Sequence, residues 1–187
     1  MAISQKNTII TIKDATACQL PLVYKLYMEA FPKEERKPFE LIQQKVKERQ
    51  MEILVIEKNK TFVGLAITAY DKEKVLLDYF AIEASYRGQE IGGKAIEMLK
   101  QRYAKKVFFL EIEIPDEKRE DYETRMRRKT FYLKHGLKET KVYVDLFGVE
   151  MEILTASSEI TFEAYLGLYQ SVFGQAIDQK IKCISFD

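Results

Sequence analysis

The stretch of this 187-residue chain whose residue types are best placed for chemistry runs Leu77-Asp78-Tyr79-Phe80-Ala81-Ile82-Glu83-Ala84-Ser85-Tyr86-Arg87-Gly88-Gln89-Glu90-Ile91-Gly92-Gly93-Lys94-Ala95. Its first half reads as a strand, and its second passes through a glycine-rich turn into a helix. Successive N–H groups at such a turn, with the positive end of the helix dipole behind them, converge on one point. That is an anion cradle suited to a pyrophosphate. The glycines at 88, 92 and 93 also fit a simpler role, a tight strand-to-helix turn without a ligand. A dinucleotide fingerprint fits poorly, because the spacing is not Gly-x-Gly-x-x-Gly, and a Walker A loop is excluded because no Gly-Lys-Ser/Thr follows. Further along, Glu111 and Glu113 share one face of the apolar run Val-Phe-Phe-Leu-Glu-Ile-Glu-Ile, since strand side chains alternate. Carboxylates there can serve acid–base chemistry, pair with Lys or Arg across a sheet, or face solvent. Metal and thiol chemistry lack their parts. A single histidine (His135) and two distant cysteines (Cys18 and Cys183) cannot assemble a Cys/His zinc site, a Cys-x-x-Cys motif or a disulfide framework.

The elements that must position these residues follow from periodicity and punctuation. Residues 8–12 form a short β-branched strand, and 15–31 carry apolar side chains at helical spacing up to Pro32. The segment Phe31-Pro32-Lys33-Glu34-Glu35-Arg36-Lys37-Pro38-Phe39 reads as a loop, because each proline disfavours helix at the residue before it. A second helix covers 40–50. Strands over 52–58, 61–70 and 74–82, separated by polar turns, make an antiparallel meander. Residues 91–103 return to helical period and end among basic residues that complement the helix dipole. The strand 107–114 then implies a crossover and a parallel pair with 74–82. A long helix over 117–135 starts after an Asp116 cap and stops at Gly136. A hairpin over 141–147 and 149–155 and a last amphipathic helix over 162–173 complete the order. No composition shift, linker or repeat divides the chain, which reads as one domain with a core over about 8–155 and a helical appendage over 156–187.

With these residues in place, the chain resembles the GNAT superfamily of acetyl-CoA-dependent N-acetyltransferases. The cofactor loop of that family reads Arg/Gln-x-x-Gly-x-Gly/Ala, and Arg87, Gly92 and the preceding strand Phe80-Ala81-Ile82 fall where the pattern puts them. Glu90 stands in place of its first glycine and adds a negative charge near the expected phosphates. Thr130-Phe131-Tyr132-Leu133-Lys134-His135-Gly136-Leu137 resembles the right-hand end of a second family segment, with Arg125 and Arg128 replacing its Asn and Ala. The resemblance implies a mixed α/β fold: a sheet of about seven strands, splayed between 74–82 and 107–114 and flanked by helices, with acetyl-CoA in the split. Phe80, Ala81 and Ile82 would pair with the pantetheine amides as an added strand does. Arg87, Gly88, Gln89, Glu90, Ile91, Gly92, Gly93 and Lys94 would hold the pyrophosphate.

Transfer of an acetyl group to an amine needs a base for the amine and a proton for the leaving thiolate. The base candidates are Glu111 and Glu113, with Asp78 a third, and Tyr132 matches the family's proton donor. Glu34 and Glu35 would border the acceptor, a small-molecule or peptide amine. A non-catalytic acyl-CoA-binding or sensing protein on the same fold is the alternative. Simpler roles are expected elsewhere: His135 against a helix dipole, Arg125, Arg127, Arg128 and Lys129 on a solvated face, and Cys18 buried in the first helix. The 30 basic and 29 acidic residues nearly cancel, which argues against a nucleic-acid partner. No apolar run approaches the roughly 20 residues of a membrane span. The start Met-Ala-Ile-Ser-Gln-Lys lacks a signal h-region, so a reduced cytoplasm is the expected location, as a monomer or homodimer.

Overall fold

The computed structural model describes residues 8–157 and 159–185. The chain runs β1 (Ile10–Asp14), α1 (Leu20–Ala30), α2 (Phe39–Lys47), β2 (Met51–Lys58), β3 (Thr61–Tyr70), β4 (Lys74–Ile82), α3 (Ile91–Arg102), β5 (Val107–Glu113), α4 (Tyr122–Lys134), β6 (Lys138–Leu146), β7 (Val149–Thr155), α5 (Phe162–Phe173) and β8 (Ile181–Ile184). The N-terminal residues read for a signal peptide lie outside the described ones. The strands form one sheet in the order β1-β2-β3-β4-β5-β7-β6-β8. Among the described residues only β4 and β5 run parallel, as the intervening crossover helix requires. The described residues therefore form a sheet of eight strands, one more than the seven or so expected. The extra strand lies in the appendage read as helical: Ile181–Ile184 pairs antiparallel with β6.

Helices cover both faces, which is why Ile53-Leu54-Val55-Ile56 is continuously apolar rather than alternating. On one face Tyr27 of α1, Ile42 of α2 and Tyr165, Leu168, Tyr169 and Val172 of α5 pack over Leu65, Ile67, Leu76 and Phe109. On the other, Ile96 and Leu99 of α3 and Tyr132 of α4 meet Leu54, Ala66, Leu77, Leu110 and Ile112. Helix α4 begins later than expected. The side chain of Asp116 accepts the Lys118 N–H (3.0 Å) and its carbonyl accepts the Arg119 N–H (3.0 Å), so Asp116 closes a turn instead of capping a helix. Cys18 is exposed in the turn before α1 rather than buried within it.

Two irregularities in β4 position the site. Ile67 pairs with Tyr79 but Thr68 pairs with Leu77, so Asp78 is an extra, bulged residue. On its other edge β4 pairs with β5 only from Lys74–Val107 to Leu77–Leu110. Beyond that point β5 continues against β7 alone, through Glu111–Ile153 to Glu113–Met151. The parallel strands thus part where Asp78 and Glu111 stand, and residues 79–82 have no strand partner on that edge.

Candidate active site

The split opens into a cleft of about 1820 Å³, which reaches from the start of α3 to the loop between α1 and α2. At the α3 end the backbone N–H groups of residues 88–93 have no acceptor among the described residues, and Lys94 is the first whose N–H bonds back, to Glu90 O (3.1 Å). Gly88 (φ 74°) and Glu90 (φ 60°) take left-handed conformations that turn the chain into the helix. The family's glycine at position 90 thereby has a backbone reason, and Glu90 adopts the same conformation with an exposed side chain. Arg87 bonds through Nε to Ile82 O (3.0 Å), tying the loop to the strand end. Arg87, Lys94, Arg127 and Lys134 bring positive charge to this end of the cleft. Gln89 does not border it: its side chain is held by Lys58 Nζ (2.6 Å) and Ser85 O (3.2 Å).

Gly92 and Gly93 also serve helix packing. A Cβ on Gly93 would lie 2.2 Å from the His135 ring, and one on Gly92 would lie 3.3 Å from Phe131. The His135 ring packs at a tilt beside Phe131 (4.8 Å between centroids, 58° between planes), so it fills the space against α3.

On the opposite wall Glu111 borders the cleft while Glu113 does not. Glu113 is held by Arg125 and by Arg128 Nη1 (3.3 Å), and Arg125 is buried and also bonds Asp121 Oδ2 (2.9 Å) and Ile114 O (3.1 Å). Lys129 pairs with Glu152 (2.7 Å) and with Glu139 (2.5 Å), so Arg125 and Lys129 turn inward to carboxylates instead of lying on a solvated face. Arg127 and Arg128 remain exposed. Asp78, almost fully buried, binds Lys37 Nζ through both oxygens (2.8 and 2.9 Å). That ammonium also lies 5.3–5.6 Å from the ring centroids of Tyr79, Tyr169 and Phe173, a cation–π arrangement.

Glu111 Oε1 accepts hydrogen bonds from Tyr165 (2.6 Å) and Tyr169 (2.7 Å). Burial, then the neighbouring Asp78 charge, pushes its carboxyl up to about 7, against the opposing pull of Lys37 and the two hydroxyls. Tyr132 is buried beside the cleft, and its hydroxyl has no hydrogen bond to a described residue. Burial pushes its hydroxyl up to about 12, with Arg128 pulling the other way. Glu34 and Glu35 border the far end of the cleft. Tyr79 donates to Glu35 O (2.9 Å) and accepts the Lys37 N–H (2.9 Å), while Tyr27 donates to Lys37 O (2.9 Å), which clamps this loop onto the sheet. Lys37, Tyr165 and Tyr169 escape sequence reasoning; the four-residue spacing of the two tyrosines on one helix face is a signal, but nothing local shows what they face.

A mixed sheet flanked by helices and split between two parallel strands is the fold of the GNAT acetyltransferases. The model of the "Acetyltransferase (GNAT) family" matches residues 20–125, more than half of the chain, and the chain belongs to that family. No curated protein matches it. Among solved structures, a protein assigned to the GNAT family from Bacteroides thetaiotaomicron shares 20% identity over 88% of this chain and 99% of its own, with a TM-score of 0.74. A GNAT family acetyltransferase from Elizabethkingia anophelis with acetyl-CoA bound shares 21% identity over 80% of this chain and 98% of its own, at a TM-score of 0.59. An aminoglycoside 6'-N-acetyltransferase complexed with coenzyme A shares 15% identity over 81% and 99%, at 0.61. At these identities the likeness is one of fold. Among the described residues, no helix is long and apolar enough to cross a membrane and no cluster of His, Cys, Asp and Glu suits a metal ion.

Proposed function

We propose that the chain is an acetyl-CoA-dependent N-acetyltransferase in which an acceptor amine, bound together with acetyl-CoA, attacks the acetyl group directly. The observation that carries this reading is the one cleft bordered at once by the open β4 edge, the unpaired N–H groups of residues 88 and 90–93, Glu111 and Tyr132. Acetyl-CoA, when bound, supplies the acetyl group in activated thioester form. Residues 79–82 suit its pantetheine amides by strand addition, and the N–H groups of 88–93 with the nearby cations suit its pyrophosphate.

Glu111 takes the amine's proton. A carboxyl near 7 is half ionised at neutral pH and a better base than an ordinary glutamate. Glu113 and Asp78 are less available to the amine, because each is already engaged by cations. Tyr132 gives a proton to the departing thiolate; a hydroxyl near 12 stays protonated at neutral pH and donates only when charge develops beside it. Glu34 and Glu35 border the mouth through which the amine enters.

Calorimetry with coenzyme A and a panel of amines assayed for thiol release from acetyl-CoA test the reading together. Binding with turnover of at least one amine is expected. Binding without turnover across the panel would favour the acyl-CoA-sensing alternative, and absence of binding would reduce the 88–93 loop to a turn.

A further inference from the structure

The proposed base is served by a part of the chain that the family match does not reach. Tyr165 and Tyr169 lie on α5, beyond residue 125 where the match ends, and both side chains are buried. Four residues apart, they stand one turn from each other on the same helix face, with ring centroids 5.2 Å apart. Both hydroxyls donate to the same oxygen, Glu111 Oε1. Oε2 is left with no hydrogen bond to a described residue, in a side chain that borders the cleft.

Resting on the assignment of Glu111 as base, we propose that Tyr165 and Tyr169 are positioning residues that lock the Glu111 carboxylate in one rotamer and leave Oε2 as the oxygen that receives the amine proton. The balance is simple. The N–H bond of the amine breaks and an O–H bond forms at Oε2, while the two phenolic protons stay on their own oxygens, where burial and the Glu111 charge hold both hydroxyls far above their ordinary range. Two donors on Oε1 stabilise the ionised carboxylate and so oppose burial, keeping the base ionisable near neutrality. The remaining groups facing Glu111 are Asp78 and Tyr79 on β4 and Lys37 from the α1–α2 loop, whereas β7 presents apolar Ile153 opposite it.

Carbon-13 NMR of glutamate carboxyls reads the Glu111 titration directly, with its signal identified by loss in Glu111→Gln. Tyr165→Phe and Tyr169→Phe each keep the ring and remove one donor. Each is expected to raise the Glu111 midpoint by about one pH unit, as loss of a hydrogen bond to a charged group implies. The acid limb of kcat/KM, for an amine that the wild type turns over, should move up by the same amount. A midpoint unmoved in both variants would overturn the positioning role and leave Glu111 free to be the base. A midpoint that moves while the rate profile stays put, or a Glu111→Gln variant with wild-type rates, would overturn Glu111 as the base and the role with it. A purely structural contribution would lower the melting temperature without moving either midpoint. Two variants guard against one that fails to fold.

Discussion

Glu111 and Glu113 differ by one strand repeat and project from the same face of β5, yet their surroundings give them different chemistry. Glu113 faces two guanidinium groups that pair with its carboxylate, whereas Glu111 faces hydroxyls, a carboxylate and the cleft. The kcat/KM of the wild type should therefore rise through about pH 7, the value to which Glu111 is pushed, and Glu111→Gln should lose that limb together with most of the activity. The same carboxyl leaves a mark on stability. Its folded value lies above the 4.5 of an unperturbed glutamate, so between about 4.5 and 7 the folded chain holds a proton that the unfolded chain has released. Stability from this group is then present at low pH and lost as pH rises through that window. Thermal melts of wild type and Glu111→Gln across pH 4 to 8, on the order of one melt per half unit, should show a shallower decline in the variant. For Tyr132→Phe we expect kcat to fall by roughly 10²- to 10⁴-fold with coenzyme A affinity nearly unchanged, because a donor to the leaving group acts late. A loss under about threefold would retire Tyr132 as the acid.

The elements proposed to cradle the pyrophosphate are marked by what they leave unsatisfied. Helix α3 starts with no side-chain cap, so its first N–H groups stay open toward the cleft. Glu90 pays for that geometry twice: an L residue sits at φ 60°, and its carboxylate stands where a phosphate is expected. Replacing it with glycine should tighten coenzyme A binding several-fold, because it removes a like charge from beside the expected phosphates, as calorimetry at low salt would read. Unchanged or weaker binding would place the phosphates elsewhere. Gly93 belongs to a different constraint, the close approach of α3 to His135 at the end of α4. Gly93→Ala should cost about 1–2 kcal/mol in denaturant unfolding, less if the His135 ring can swing aside. The penalty should shrink in a Gly93→Ala/His135→Ala double variant, and additive effects would show that the two do not touch.

At the scale of the whole molecule, the C-terminal residues are integral to the sheet and supply the two tyrosines that bond Glu111. Helix α5 buries Tyr165, Leu168, Tyr169 and Val172, and β8 extends the sheet beyond β6. Four buried side chains at roughly 1.5–3 kcal/mol each amount to about the entire stability of an ordinary domain. A chain ending after Thr155 should therefore be aggregated or unfolded, as circular dichroism and size-exclusion chromatography would show; a monomeric, cooperatively folded product would make α5 and β8 dispensable. The strand-and-helix order, the β4-to-α3 turn and the tie to an acetyltransferase family were legible in the sequence, because periodicity, glycines and prolines act over a few residues. The wrong start of α4 has a local cause too, since Asp116 can cap a helix or close a turn with the same side chain. Long-range pairing was not legible. That residues 181–184 form a strand depends on the open edge of β6, that Arg125 and Lys129 turn inward depends on Glu113 and Glu152 on neighbouring strands, and that Gln89 leaves the cleft depends on Lys58. The sequence placed three carboxylates near the split. Only the tertiary structure decided their surroundings, by setting arginines beside Glu113, a lysine beside Asp78 and two tyrosines beside Glu111 at the cleft, because the partners of a carboxylate come from elements far apart in the chain that folding alone brings together.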